Sequence, residues 1–159
     1  MAYIRIKRIN NTPYAYLVES TSTPSGPRQK VKKYLGRVHS LEKKEERLGT
    51  VQGKDKKTFF DSLLGSTLRC HGFQKEKEMY VSPECTISPS SGIIAKKGKN
   101  KEIVLSLNGG YLCQFTLQRI LQFTKTKNVD NDAPLLAKYF LEAGLTITPE
   151  EFVKFYELI

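Results

Sequence analysis

Over the first forty residues, apolar positions recur every second residue. Tyr3, Arg5 and Lys7 alternate with Ile4 and Ile6, and Tyr14, Tyr16 and Val18 alternate with Ala15 and Leu17. Arg28, Lys30, Lys32 and Tyr34 alternate with Gln29, Val31, Lys33 and Leu35. Successive side chains of a strand point to opposite faces, so the pattern predicts strands over 2–9, 13–20 and 28–38, each with one apolar and one basic or aromatic face. The expected inner face carries Ile4, Ile6, Ala15, Leu17, Val31 and Leu35. Asn10-Asn11-Thr12-Pro13 reads as the first turn, because Asn tolerates positive φ, and Thr21-Ser22-Thr23-Pro24-Ser25-Gly26-Pro27 as the second. Two short connections make an antiparallel meander the simplest topology.

The period lengthens after residue 39. Residues 40–48 read as a short helix that Ser40 caps, with Lys43 and Arg47 four apart, and Gly49 to Lys57 as a polar linker. Phe59, Phe60, Leu63, Leu64 and Leu68 form the apolar stripe of a helix over 58–71, which Gly72 ends. Short strands are predicted over 78–82, 85–88, 92–96 and 101–107, the last two flanking a hairpin tip, Lys97-Gly98-Lys99-Asn100. Residues 111–124 hold one charge, Arg119, and read as a buried helix. Leu135, Leu136, Tyr139, Phe140 and Ala143 define another over 133–143, which Gly144 stops. Thr148-Pro149-Glu150-Glu151 is a capping box with Pro at the first helical position, opening a last helix with Phe152, Phe155, Tyr156 and Ile159 on one face.

The expected fold class is therefore α+β: an N-terminal three-stranded antiparallel sheet plus a short helix, then a helix, a small antiparallel sheet and three C-terminal helices. The expected division is a basic sheet module over 1–48 and an α+β domain over 58–159, to which the sequence assigns no role.

Composition narrows the class. A chain of 159 residues, 39% hydrophobic and 10% aromatic, is long enough to bury a core without disulfides or metal. Its N-terminus lacks the apolar core of a signal peptide, and no run approaches the roughly 18 apolar residues of a membrane span. Three widely spaced cysteines (Cys70, Cys85 and Cys113) suit a reducing compartment, so a cytoplasmic location and no membrane contact are expected.

Charge points to a class of partner. Net charge is +10, and residues 1–40 hold eight Lys/Arg against one acid, Glu19, for +7. Ordinary solvated faces mix both signs. A sheet face joining cations to aromatic rings suits nucleic acid, because cations neutralise phosphates and rings stack on bases. The expected outer face carries Tyr3, Arg5, Lys7, Tyr14, Tyr16, Arg28, Lys30, Lys32 and Tyr34, with Arg8, Lys33 and Arg37 at its edges or on the other face, within reach of phosphate. A second basic group, Lys96, Lys97, Lys99 and Lys101, is expected on the hairpin tip. It is not a phosphate-binding P-loop, because Gly-Lys is not followed by Ser or Thr.

Catalytic chemistry has little to stand on. Adjacent Cys70 and His71 point about 100° apart on a helix, so they make a poor nucleophile and base. Cys70, His71, Cys85 and Cys113 have irregular spacing for zinc, and buried structural cysteines are the reading adopted. No catalytic residue, metal or cofactor is expected. Arg119 reads either as an anchor for a carboxylate or phosphate, or as a buried stem with a hydrated head. The two C-terminal helices superficially suggest a helix-turn-helix. The second carries Glu150, Glu151 and Glu157 against Lys154, a charge that repels phosphate. Residues 129–159 hold six acids and two bases, which points this end toward the protein's own interior or a protein partner.

Tyr14-Ala-Tyr-Leu-Val-Glu19, Gly26-Pro-Arg-Gln-Lys30 and Lys33-Tyr-Leu-Gly-Arg37 carry a resemblance. Residues 3–38 resemble a segment near the amino terminus of insertion-sequence transposases of the DDE class, where it precedes the catalytic domain and is DNA-associated. The resemblance implies DNA contact. It does not imply transposition, because the chain has no room for the nuclease fold and no Asp-Asp-Glu triad. Three strands followed by a short helix are also similar in layout to the sheet-type DNA-binding domains of plant Apetala-class factors and to the arm-binding domains of tyrosine integrases. The whole chain has the look of a small prokaryotic protein, archaea included.

The function expected from sequence is non-enzymatic nucleic-acid binding, with DNA favoured over RNA. The alternatives are an RNA-binding or ribosome-associated protein, and an adaptor whose sheet meets an acidic protein.

Overall fold

A computed structural model of the chain describes residues 1–47 and 49–159. Among the described residues there are nine strands, in two sheets, and four helices. Strands β1 (Ala2–Ile9), β2 (Thr12–Thr23) and β3 (Gly26–Ser40) form the expected antiparallel meander. Asn10 and Asn11 make the first turn at φ 49° and 62°, left-handed values that Asn tolerates. Thr12 and Pro13, expected in that turn, belong to β2.

The expected assembly is corrected at this sheet. β3 continues to Ser40 and pairs in parallel with β8 (Ile103–Leu107), which pairs with β9 (Gly110–Leu112). The result is a five-stranded mixed sheet, β1-β2-β3-β8-β9, rather than a three-stranded one. Gly36 permits this junction: at φ 136°, its α-carbon passes so close to residue 102 that an added Cβ would sit 2.7 Å from the Glu102 carbonyl oxygen.

Residues 40–47 do not form the expected helix, and Leu48, its last residue, lies outside the described residues. Tertiary partners take the backbone and side-chain groups instead. Leu41 N donates to Ser106 O, and Lys44 N and Glu45 N both donate to Cys70 O. Arg47 pairs with Glu151 and donates to Thr146 O. Helical propensity amounts to a few tenths of a kcal/mol per residue, so such contacts override it.

Helix α1 (Lys56–Cys70) starts at Asp55, whose carboxylate accepts from Thr58 N at 2.9 Å. A second, antiparallel sheet follows: β4 (Gln74–Glu76), β5 (Met79–Val81), β6 (Cys85–Ile87) and β7 (Ile94–Lys96). The segments expected as one hairpin, 92–96 and 101–107, belong to different sheets, joined by a single bridge, Ala95 to Glu102. The segment 111–124 is not one helix. Tyr111 and Leu112 complete β9, and Cys113 starts α2 (Gln114–Leu121), its backbone N donating to Thr116 Oγ1 at 3.0 Å.

Helix α3 (Val129–Ala143) begins four residues before expectation. Buried Asp132 anchors its first turn, accepting from Thr126 N at 2.6 Å and from Thr126 Oγ1 at 3.0 Å. Helix α4 (Pro149–Glu157) carries the reciprocal Thr148–Glu151 capping box. The main core lies where both sheets meet the helices, around Phe59, Phe60, Tyr80, Leu105, Phe140 and Phe155. A smaller one, around Ala15, Leu35, Val38, Val104 and Cys113, underlies the N-terminal strands. Among the described residues, no helix is long and apolar enough to cross a membrane.

Candidate nucleic-acid interface

The register of β1, β2 and β3 decides which side chains share a face. Arg5 lies opposite Tyr16, Lys7 opposite Tyr14, and Tyr3 opposite Val18. Across β3, Tyr14 lies opposite Arg37, Tyr16 opposite Tyr34, and Val18 opposite Val31. One face therefore gathers Tyr3, Arg5, Lys7, Tyr14, Tyr16, Tyr34 and Arg37.

The rings touch. Tyr16 and Tyr34 have centroids 5.3 Å apart, and Tyr14 and Tyr34 6.3 Å. Lys7 Nζ lies 5.3 Å from the Tyr16 centroid, and Arg5 donates to Gln29 Oε1. Tyr34 is 44% exposed at the surface of the cluster. Partial burial, with Tyr14 and Tyr16 alongside, holds its phenol above the usual tyrosine range, so it stays neutral. The one acid of the segment, Glu19, sits on the opposite face, paired with Lys32 at 2.6 Å.

Two bulges separate this face from the expected one. The register of β2 against β3 shifts between Ala15 and Tyr16 and again between Leu17 and Val18, leaving Leu35 and Lys32 as extra residues on β3. Each bulge reverses the alternation downstream of it. Arg28, opposite Thr21, and Lys30, opposite Glu19, consequently lie on the opposite face together with Lys33, which lies opposite Leu17. Lys32 reaches Glu19 on that side. Arg8, opposite Pro13, alternates onto it with Ile4 and Ile6. Val31, expected inside, stands on the tyrosine face and is 47% exposed.

Lys96, Lys97, Lys99 and Lys101 are exposed where β7 passes into β8. Lys96 approaches His39, whose imidazole is held below its ordinary range by burial and by the positive charges of Arg37 and Lys96. The Ala95–Glu102 bridge, next to the Arg37–Ile103 pair, sets the root of the basic turn beside the Arg37 end of the sheet. Alternation singles out neither Gln29, the partner of Arg5, nor His39. His39 stands two residues from Arg37 on one strand, a spacing legible in the sequence, whereas two bulges between Gln29 and Arg37 hide the face of Gln29.

The other chemical candidates resolve into packing. Arg119 anchors a carboxylate of the chain itself, donating to Glu142 Oε2 at 2.7 Å with its guanidinium 3.9 Å from the Tyr139 centroid. Cys70, Cys85 and Cys113 are buried and unbonded to one another, and burial pushes the Cys85 and Cys113 thiols up. Buried His71 is hydrogen-bonded through Nδ1 to Thr67 O at 2.9 Å. Among the described residues, no group of three His, Cys, Asp or Glu is placed to hold a metal ion. No protein-family model, curated protein or solved structure matches this chain.

Proposed function

We propose that this chain is a non-enzymatic nucleic-acid-binding protein that contacts DNA through the face carrying Tyr3, Arg5, Lys7, Tyr14, Tyr16, Tyr34 and Arg37. The carrying observation is the contact of Tyr34 with both Tyr14 and Tyr16 among three cations, Arg5, Lys7 and Arg37, on a face from which Glu19 points away. Rings stack on bases or lie against sugars, and the cations draw in phosphates. Arg28, Lys30 and Lys33 contribute long-range attraction from behind. Residues 58–159 act as the scaffold that grips β3 through β8. A cytoplasmic location belongs to the same reading, since three buried thiols without disulfides fit a reducing compartment.

A second reading, binding of single strands or RNA, draws on the exposure of Tyr34, whose ring has room to receive an unpaired base. Fluorescence anisotropy with duplex DNA, single-stranded DNA and structured RNA at several salt concentrations tests both. Binding of any of the three that weakens steeply with salt supports nucleic-acid contact, and the tightest one names the substrate. Absence of binding to all three at low salt contradicts the proposal.

A further inference from the structure

The C-terminal helices have an unpartnered side that the nucleic-acid reading does not use. Between α3 and α4 lies a groove of about 520 Å³, lined by Phe140, Leu141, Leu145, Ile147, Phe152 and Val153. Leu141 is 72% exposed on one wall and Val153 55% on the other. Large apolar side chains left this open on both sides of a groove mark an interaction surface.

Charge selects the occupant. Glu150 stands three residues before Val153 and Glu157 four after it, which puts both on the Val153 face of α4. Both are exposed, and neither has an ion-pair partner among the described residues. The cations of these helices are engaged elsewhere: Lys138 lies 3.7 Å from Glu142, and Lys154 lies over the Phe59 ring at 5.7 Å from its centroid. An acidic rim repels phosphate, so the occupant is not nucleic acid. Residues 1–40 are sheet, and the basic helix α1, with Lys56, Lys57 and Arg69 against Asp61, has Phe59, Phe60, Leu63, Leu64 and Leu68 buried in its own core, so a second copy has no free basic helix to fill the groove.

We propose that this groove docks a basic amphipathic helix of a protein partner, with apolar residues at i, i+3, i+4 and i+7 between Leu141 and Val153 and Lys or Arg beside Glu150 and Glu157. The proposal stands independently of nucleic-acid binding.

The test titrates the full chain into two labelled peptides of about four helical turns. Both carry Leu at helical spacing; one is flanked by Lys, the other by Glu. The Lys-flanked peptide is expected to bind at least about tenfold more tightly, and Leu141→Lys to weaken it by at least about tenfold. A Glu150→Gln/Glu157→Gln variant, altered only at exposed positions, is expected to reduce the preference for Lys flanks. Equal binding of the two peptides, no binding of either, or indifference to both variants overturns the proposal. So does a wild-type dimer in sedimentation that Leu141→Lys dissociates, since the groove would then belong to a second copy.

Discussion

Tyr34 lies directly opposite Tyr16 only because β3 bulges at Leu35. The register begins with Tyr14 against Arg37 and Ala15 against Gly36, so an unbroken strand would set Leu35 against Tyr16. The extra residue turns Leu35 into the small core and brings the Tyr34 ring to 5.3 Å from that of Tyr16. The aromatic cluster is thus a product of backbone irregularity.

The exposed ring of Tyr34 makes its own prediction. Tyr34→Ala is expected to weaken single-strand binding by roughly 1–3 kcal/mol with little change in thermal midpoint, and Tyr34→Phe to retain most of the affinity, because stacking needs the ring and not the hydroxyl. Equal affinity for Tyr34→Ala and wild type in anisotropy titrations would show that no base stacks there.

Tyr80 governs stability at alkaline pH. It is buried, and its hydroxyl donates to Asp61 O at 2.9 Å, with Asp61 Oδ1 at 3.1 Å. Burial and the Asp61 charge push its phenol well above the ordinary value of 10.0. The folded state therefore keeps this proton where the unfolded chain releases it. Its stabilising contribution is complete below pH 10 and is lost progressively as pH rises above it. Tyr80→Phe is expected to cost about 1 kcal/mol at neutral pH through the lost hydrogen bond, and to flatten the alkaline fall in melting temperature. An unchanged slope between pH 9 and pH 11 would contradict this.

Gly36 holds the junction of β3 and β8. Its φ of 136° disfavours any side chain, and the Glu102 carbonyl occupies the space a Cβ needs. Gly36→Ala is expected to destabilise the protein by about 2–3 kcal/mol in urea denaturation, combining backbone strain with displacement of β8. A loss under about 0.5 kcal/mol would mean the junction adapts freely.

Arg119 joins α2 to α3 through its guanidinium over the Tyr139 ring and an ion pair with Glu142. An ammonium reproduces the charge but not the flat stacking surface. Arg119→Lys is therefore expected to cost about 1 kcal/mol of stability. Urea denaturation measures this, and a neutral substitution would show that the contact is incidental.

Individual elements are more legible in this sequence than their assembly. Alternation marks β1 to β3, the apolar stripe from Phe59 to Leu68 marks α1, and the Thr148–Glu151 box marks α4 to its first residue. The five-stranded sheet is hidden because its joining pair, β3 with β8, is parallel and separated by sixty-odd residues of other structure. One available signal pointed to it. Asn108-Gly109, at φ 48° and 78°, forms the tight turn between β8 and β9, and such a pair between apolar runs marks a hairpin. The apolar run from Tyr111 to Leu121 outweighs that signal when read by helical spacing. The candidate site is half legible. Arg5, Lys7, Tyr14 and Tyr16 follow from simple alternation, whereas Arg28, Lys30 and Lys32 change sides at bulges that no residue of β3 announces.

Salt dependence in two triple variants separates the two faces of the N-terminal sheet as binding surfaces. Each phosphate contact contributes about 0.9 to the slope of log affinity against log salt on duplex DNA. Arg5→Ala/Lys7→Ala/Arg37→Ala is expected to lower that slope by roughly 2–3, and Arg28→Ala/Lys30→Ala/Lys33→Ala by less than about 1, with both variants folded. Equal losses from the two faces, or an unchanged slope when the tyrosine face loses its cations, would contradict the assignment.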